Sequence, residues 1–153
     1  RASASSACRT SSSARPTFDR SCSVRARSWS SDRSKRLRIH RPVPVPCVVV
    51  TLGARGCFAR RGAEIFLQPA FPIEAVDTTA AGDTFCGALA ARLAEHAGLE
   101  DALRFASAAS ALACTRLGAQ ASIPMRAEVE AWLAGHADEP ARRAALAAYC
   151  GLS

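Results

Sequence analysis

The sequence predicts an α/β fold that starts near residue 47 and follows a disordered N-terminal tail. Residues 47–52 (CVVVTL) form a continuous apolar, β-branched run, which is typical of a strand buried on both faces of a parallel sheet. From residue 84 onward the apolar residues recur with helical spacing. Residues 1–46 are instead rich in Ser and Arg and have almost no apolar periodicity. They would bury too little apolar surface to offset the entropy lost on ordering.

Charge divides the chain at the same place. Residues 1–47 hold eleven of the 20 Lys and Arg residues and two acids, a net charge of +9, whereas residues 48–153 hold nine basic and eleven acidic residues. The overall charge of +7 therefore belongs to the tail and does not indicate a basic nucleic-acid-binding domain. The seven Cys residues include no Cys-x-x-Cys motif, so neither a zinc site nor a disulfide framework is indicated, and a cytoplasmic location is expected. No apolar run approaches the roughly 18 residues of a membrane span.

After the first strand, the pattern predicts a glycine-containing loop and a hairpin. Gly53 and Gly56 interrupt the strand, and ligands of open α/β sheets bind at the carboxyl ends of strands. The runs 57–60 and 64–67 flank Arg61-Gly62-Ala63, as in two strands joined by a tight turn. The loop is therefore a candidate nucleotide site, although two glycines alone are weak evidence.

The remaining sequence is predicted to be helical. The first helix is expected from Thr84 and carries Phe85, Leu89 and Leu93 on one stripe. The predicted helices run from Thr84 to before Gly98, from Leu99 to before Gly118, over Arg126–Ala134 and over Pro140–Tyr149. The last of these carries no evident chemistry.

Residues 77–85 (DTTAAGDTF) join the hairpin to the first helix and suit an anion. A helix start presents unpaired N–H groups and a partial positive charge. Ala80, Ala81 and Gly82 leave space for a phosphoryl group against the backbone. Asp83 would lie at the rim, where a carboxylate can accept a proton from an attacking hydroxyl. Asp77 is also open to a simpler interpretation, as an ordinary helix-capping residue.

The motif in residues 77–83 resembles the second signature of the ribokinase-like (PfkB) carbohydrate kinases, whose core reads Asp-Thr-x-Gly/Ala-Ala-Gly-Asp. Residues 51–56 (TLGARG) match the Thr-Leu-Gly-x-x-Gly loop of the same family. The resemblance extends over about residues 47–133. It implies that residues 47–135 are the C-terminal half of a three-layer α/β/α sandwich, with residues 136–153 as a helical extension.

The resemblance also implies a function: ATP-dependent phosphorylation of D-ribose to D-ribose 5-phosphate, with magnesium as the partner of ATP. Asp83 would be the catalytic base and contact the sugar, and Ala80, Ala81 and Gly82 would form the anion hole. The implied ATP-binding residues are Thr51, Leu52, Gly53, Ala54, Arg55, Gly56, Gly82, Asp83 and Ser107, the last of which stands where the family often has His or Asn near the adenine. The implied site for a potassium ion comprises Asp77, Thr79, Ala113, Arg116, Gly118 and Ser122.

Several alternatives are open. The tail fits a transit peptide, a polyanion-binding arm or a segment read from a shifted frame. The last is favoured because the tail runs directly into the middle of a family domain. The chain would then be a truncated kinase, or a non-catalytic remnant with half an ATP site. A basic nucleic-acid-binding protein is a third possibility and is disfavoured, and no membrane partner is expected. A homodimer is possible for the full-length family, through an interface outside this segment.

Overall fold

The computed structural model describes residues 45–137 and 139–152, and the predictions for residues 1–44 lie outside them. The described chain forms an α/β structure, as predicted, with three strands and four α-helices. The strands are β1 (Cys47–Thr51), β2 (Gly56–Arg61) and β3 (Glu64–Pro69), in the order β1-β2-β3. Gly53–Arg55 forms a single turn of 3-10 helix between β1 and β2.

The pairing of β1 differs from the prediction, which placed this strand in a parallel sheet. β1 pairs antiparallel with β2, with Val50 opposite Phe58, and Val49 is its one buried residue. The reason is the short connection to β2, since a handful of residues can join antiparallel strands whereas a parallel pair needs a long crossover. Within the described residues β2 is the one strand beside β1. The apolar run of residues 47–51 therefore predicted the strand but not its pairing.

The predicted hairpin is confirmed. β2 and β3 pair from Gly56 opposite Pro69 to Arg61 opposite Glu64. The two-residue turn between them contains Gly62 in the left-handed region, at φ 60°, as tight hairpin turns require.

The helices are α1 (Ala81–Ala94), α2 (Leu99–Cys114), α3 (Arg126–Ala134) and α4 (Pro140–Cys150). Three of them agree with the sequence within a few residues, whereas α1 begins three residues before the predicted Thr84. The Thr84 N–H donates to the Ala80 carbonyl at 2.9 Å, which makes residues 81–83 the first turn of the helix. Small residues are compatible with a helix as well as with a loop, so composition alone did not place this boundary.

Helix α2 is central to the packing. One buried cluster lies between the sheet, α1 and α2 and includes Val49, Leu89 and Leu103. A second lies between α2 and α3 and includes Phe105 and Val129. Helix α4 packs against β3. Among the described helices, none has the length and apolar character needed to cross a membrane.

Candidate active site

The first turn of α1 presents unpaired backbone donors. The Ala81 N–H donates to the Thr78 carbonyl at 3.2 Å and the Thr84 N–H to the Ala80 carbonyl at 2.9 Å. Between them, the N–H groups of Gly82 and Asp83 have no hydrogen-bond partner among the described residues. Gly82 is exposed, and an added Cβ there would meet nothing within 4 Å. Two free donors at the positive end of a helix dipole form a site suited to an anion.

The carboxylate of Asp83 lies at the same helix start and is free. Asp83 is the third residue of α1 and is exposed, with no hydrogen bond or ion pair to any described residue. Asp101 occupies the equivalent position in α2, where its carboxylate is ion-paired to Arg92 at 2.7 Å. Asp83 is therefore available to a ligand in a way that Asp101 is not.

Asp77 organises the turn that precedes α1. Its Oδ1 accepts hydrogen bonds from the Thr79 N–H at 2.9 Å and the Thr79 hydroxyl at 2.5 Å. Its Oδ2 accepts one from the Gly118 N–H at 3.2 Å. These bonds, those from Thr79 first, hold the pKa of the Asp77 carboxyl below its ordinary value of 3.8. The N-cap of α1 is Ala80, so Asp77 is not the helix cap that the simpler interpretation proposed.

We expect Asp77 to make the stability of the fold pH-dependent. Because the hydrogen bonds lower its pKa in the folded state, its contribution is present above about pH 4 and is lost as the pH falls below that value. In Asp77→Asn this contribution is absent at every pH. The wild type should therefore have the higher melting temperature at pH 7, and the difference should shrink on titration to pH 3. A difference that is constant from pH 7 to pH 3 would contradict this role.

One face of α2 holds the three parts of the site together. The Ser107 Oγ lies 4.0 Å from the Cys57 Sγ at the start of β2. The Ser110 hydroxyl donates to the Ala81 carbonyl of α1 at 2.9 Å. The Cys114 carbonyl accepts the N–H groups of residues 76 and 77 at 2.8 and 3.1 Å. Residues 107, 110 and 114 share one helix face, so α2 places the end of the glycine loop beside the start of α1.

Ser107, which the resemblance places near the adenine, is mostly buried at 8% exposure. Its hydroxyl faces Cys57 in the core. Burial raises the pKa of the Cys57 thiol to about 12, so the thiol is neutral at physiological pH. A contact from Ser107 to a nucleotide stays a prediction.

The glycine loop closes on itself and contacts α4. The Leu52 N–H donates to the Gly56 carbonyl at 2.7 Å, and the Arg55 carbonyl accepts the Ala70 N–H at 3.3 Å. The Arg55 guanidinium lies over the Tyr149 ring, 4.2 Å from its centroid. Helix α4, for which the sequence analysis predicted no evident chemistry, therefore touches the predicted nucleotide loop.

The six residues of the predicted cation site fall on two adjoining segments, the turn at 77–79 and the chain from 113 to 122. The bond from Gly118 to Asp77 joins these segments. The Arg116 N–H donates to the Ala113 carbonyl and the Ser122 N–H to the Gly118 carbonyl, both at 3.3 Å. No group of three His, Cys, Asp or Glu side chains in the described chain could hold a metal. A hard cation here would therefore depend largely on backbone oxygens, which suit it chemically.

Sequence reasoning missed Ser110 as a contact of the site. The available signal was a second hydroxyl one turn after Ser107 in an otherwise alanine-rich helix. A cavity of about 230 Å³ lies elsewhere, between the end of β3 and residues 135–142, and none of the predicted site residues lines it. At the candidate site itself, Gly82 and Asp83 are exposed.

Comparisons with known proteins match the chain to one family of enzymes. The family model described as "pfkB family carbohydrate kinase" matches residues 32–126. The chain is 44% identical to the ribokinase of Haemophilus influenzae over 84 residues, which is 55% of this chain and 28% of that protein. It is 48% identical to the ribokinase of Bacillus subtilis over 81 residues, 53% of this chain and 28% of that protein. The chain thus spans less than a third of the length of these relatives.

Solved structures match the same part of the chain. The ribokinase of Thermotoga maritima aligns with a TM-score of 0.57 at 50% identity, covering 59% of this chain and 30% of that one. The Arabidopsis thaliana ribokinase complexed with ribose and ATP aligns with a TM-score of 0.57 at 40% identity, covering 58% and 29%. A putative ribokinase II from E. coli in complex with ATP and Mg²⁺ aligns with a TM-score of 0.58 at 35% identity, covering 60% and 30%. These neighbours share the ribokinase-like α/β fold.

Proposed function

The chain belongs to the pfkB family of carbohydrate kinases, and we propose that residues 47–133 supply the ATP-binding and phosphoryl-transfer part of a ribokinase-type sugar kinase. The reaction would transfer the γ-phosphoryl group of ATP to D-ribose and give D-ribose 5-phosphate and ADP. Ribose is favoured because relatives at 44% and 48% identity are ribokinases and the aligned Arabidopsis enzyme was solved with ribose and ATP.

The observation that carries this proposal is the start of α1, where two free N–H groups and a free carboxylate lie together. In the proposed reaction the Asp83 carboxylate takes the proton of the sugar hydroxyl. The hydroxyl oxygen forms a bond to the γ-phosphorus while the bond from that phosphorus to the β-bridging oxygen breaks. The N–H groups of Gly82 and Asp83 stabilise the charge that develops on the transferred group. The electrons of the broken bond leave with ADP.

The proposed cofactors follow from the donors that the chain offers. Magnesium would arrive with ATP and be held mainly by phosphates and water, because the described residues offer no cluster of acidic or imidazole ligands. Potassium would fix the carbonyls of the turn before α1 and so aim its N–H groups at the phosphate. It would be held at Asp77, Thr79, Ala113, Arg116, Gly118 and Ser122. The chain itself fixes this region through the bonds that Asp77 accepts from Thr79 and Gly118.

A hybrid enzyme tests the proposal. Residues 47–133 would replace the matching segment of the H. influenzae ribokinase, so that the relative supplies the parts that this chain does not match. We expect the hybrid to release ADP only when both ATP and ribose are present, at a rate within about tenfold of the parent enzyme. The same assay with fructose in place of ribose tests the choice of sugar. A folded hybrid that binds ATP without turnover would overturn the proposal and favour the non-catalytic remnant.

The purified chain of 153 residues should show negligible kinase activity by itself. Its match to the relatives spans 28% of their length, and β1 has one neighbouring strand within the described residues. The same coupled assay measures this activity. Robust ribose-dependent ADP release from the isolated chain would contradict this expectation and place the whole reaction in this polypeptide.

A further inference from the structure

We propose that Ser110 is a positioning residue that fixes the anion hole by holding the peptide unit between Ala81 and Gly82. This inference rests on the proposed function and assigns to α2 an active part in it. The Ser110 hydroxyl donates to the Ala81 carbonyl at 2.9 Å. That carbonyl belongs to the same rigid peptide plane as the Gly82 N–H, which is one of the two free donors of the site.

Because the peptide unit is planar, the contact at the Ala81 carbonyl also affects the direction of the Gly82 N–H. The carbonyl and the N–H of one peptide point in opposite directions, so a bond that anchors the Ala81 carbonyl also aims the Gly82 N–H outward. Within α1 the Ala81 carbonyl is also placed to accept the helix's own hydrogen bond from residue 85, whereas the Gly82 N–H has no intrahelical partner. The Ser110 hydroxyl is thus a second donor to this carbonyl, and it comes from outside the helix. Gly82 also has the conformational freedom of a glycine. Ser110 restricts this freedom from a neighbouring helix.

The same bond also polarises the donor. A carbonyl that accepts a hydrogen bond withdraws electron density from its amide nitrogen, and chains of hydrogen bonds strengthen one another, by about 10–30% per bond. Hydroxyl, peptide unit and bound phosphoryl group would form such a chain. Ser110 is partly buried, which limits competition by water for its hydroxyl. The effect on anion binding should be that of a single hydrogen bond, about two- to tenfold.

The experiment uses the full chain of 153 residues, labelled with ¹⁵N, and follows the Gly82 amide by NMR during titration with ATP and Mg²⁺. AMP, which lacks the β- and γ-phosphates, is the ligand control. In Ser110→Ala we expect the Gly82 proton resonance to move upfield in the free protein and the dissociation constant for ATP to rise about two- to tenfold. Ser110→Thr, which retains a hydroxyl, should restore most of both values.

Thr115→Val is the matched control, because it also removes a hydroxyl that donates to a backbone carbonyl of α2, that of Leu112 at 2.7 Å. It should leave the Gly82 resonance and the ATP affinity unchanged. If the Gly82 resonance and the dissociation constant for ATP in Ser110→Ala equal those of the wild type, the inference is overturned and the proposed function stands. If ATP does not perturb Gly82 in the wild type, both the proposed anion hole and the role of Ser110 fail. The spread of the other amide resonances reports whether each variant is folded.

Discussion

Asp83→Asn in the hybrid enzyme should lower kcat by about 10²–10⁴-fold, the usual contribution of a general base. Asn keeps the backbone N–H of residue 83, so the substitution removes the carboxylate while leaving the anion hole intact. KM for ATP should therefore change little. Asp83 has no hydrogen bond or ion pair to other described residues, so its loss should remove only the small favourable interaction of an acid with the helix dipole. Steady-state kinetics with varied ATP and ribose measure the separate effects on kcat and KM.

Asp101→Asn is the matched control for this experiment. Asp101 is also the third residue of its helix, and the chemical change is identical, but its carboxylate is paired with Arg92 on the surface. Such a pair contributes at most about 1 kcal/mol to stability, and kcat should stay near that of the unmodified hybrid. Equal losses of activity in the two variants would show that Asp83 acts through the helix dipole or stability and not as the base.

The sequence predicted most of the fold because its signals are local. The turn at Gly62, the apolar stripe of α1 and the end of α3 at Ala134 each depend on a few neighbouring residues. The pairing of β1 depends on which strand lies beside it, and a β-branched run does not encode this. The start of α1 depends on a hydrogen bond between Thr84 and Ala80, and small residues are compatible with helix and loop alike.

The candidate site was predictable in part for the same reason. Asp77, Gly82 and Asp83 lie within one short motif, so its spacing brings them to one helix start. The contribution of Ser110 comes from 29 residues away along the chain. The sequence around a serine in an alanine-rich helix does not indicate which backbone carbonyl its hydroxyl will contact. The contact between Arg55 and Tyr149 likewise depends on where α4 packs, which is a tertiary outcome.

Gly56→Ala should cause the largest loss of stability among these substitutions. Gly56 has φ 111° and ψ −140°, a conformation that is accessible almost only to glycine. An added Cβ would overlap the Gln68 carbonyl oxygen and lie 2.6 Å from the Ala70 nitrogen, both in the backbone of the neighbouring segment. Strain and overpacking together should cost roughly 3 kcal/mol or more. Chemical denaturation of the purified chain, followed by circular dichroism, measures the free energy of unfolding.

Gly62→Ala separates the two causes of this loss. Gly62 also has a positive φ, of 60°, but an added Cβ there meets nothing within 4 Å, so only the left-handed backbone is penalised, by about 1–2 kcal/mol. Equal losses in the two variants would contradict the steric explanation for Gly56. A larger loss at Gly56 ties the predicted nucleotide loop to the end of β3, because the atoms that exclude a side chain there belong to residues 68–70. The second glycine of the Thr-Leu-Gly-x-x-Gly motif would then be required by the packing of the sheet, independently of any contact with a nucleotide.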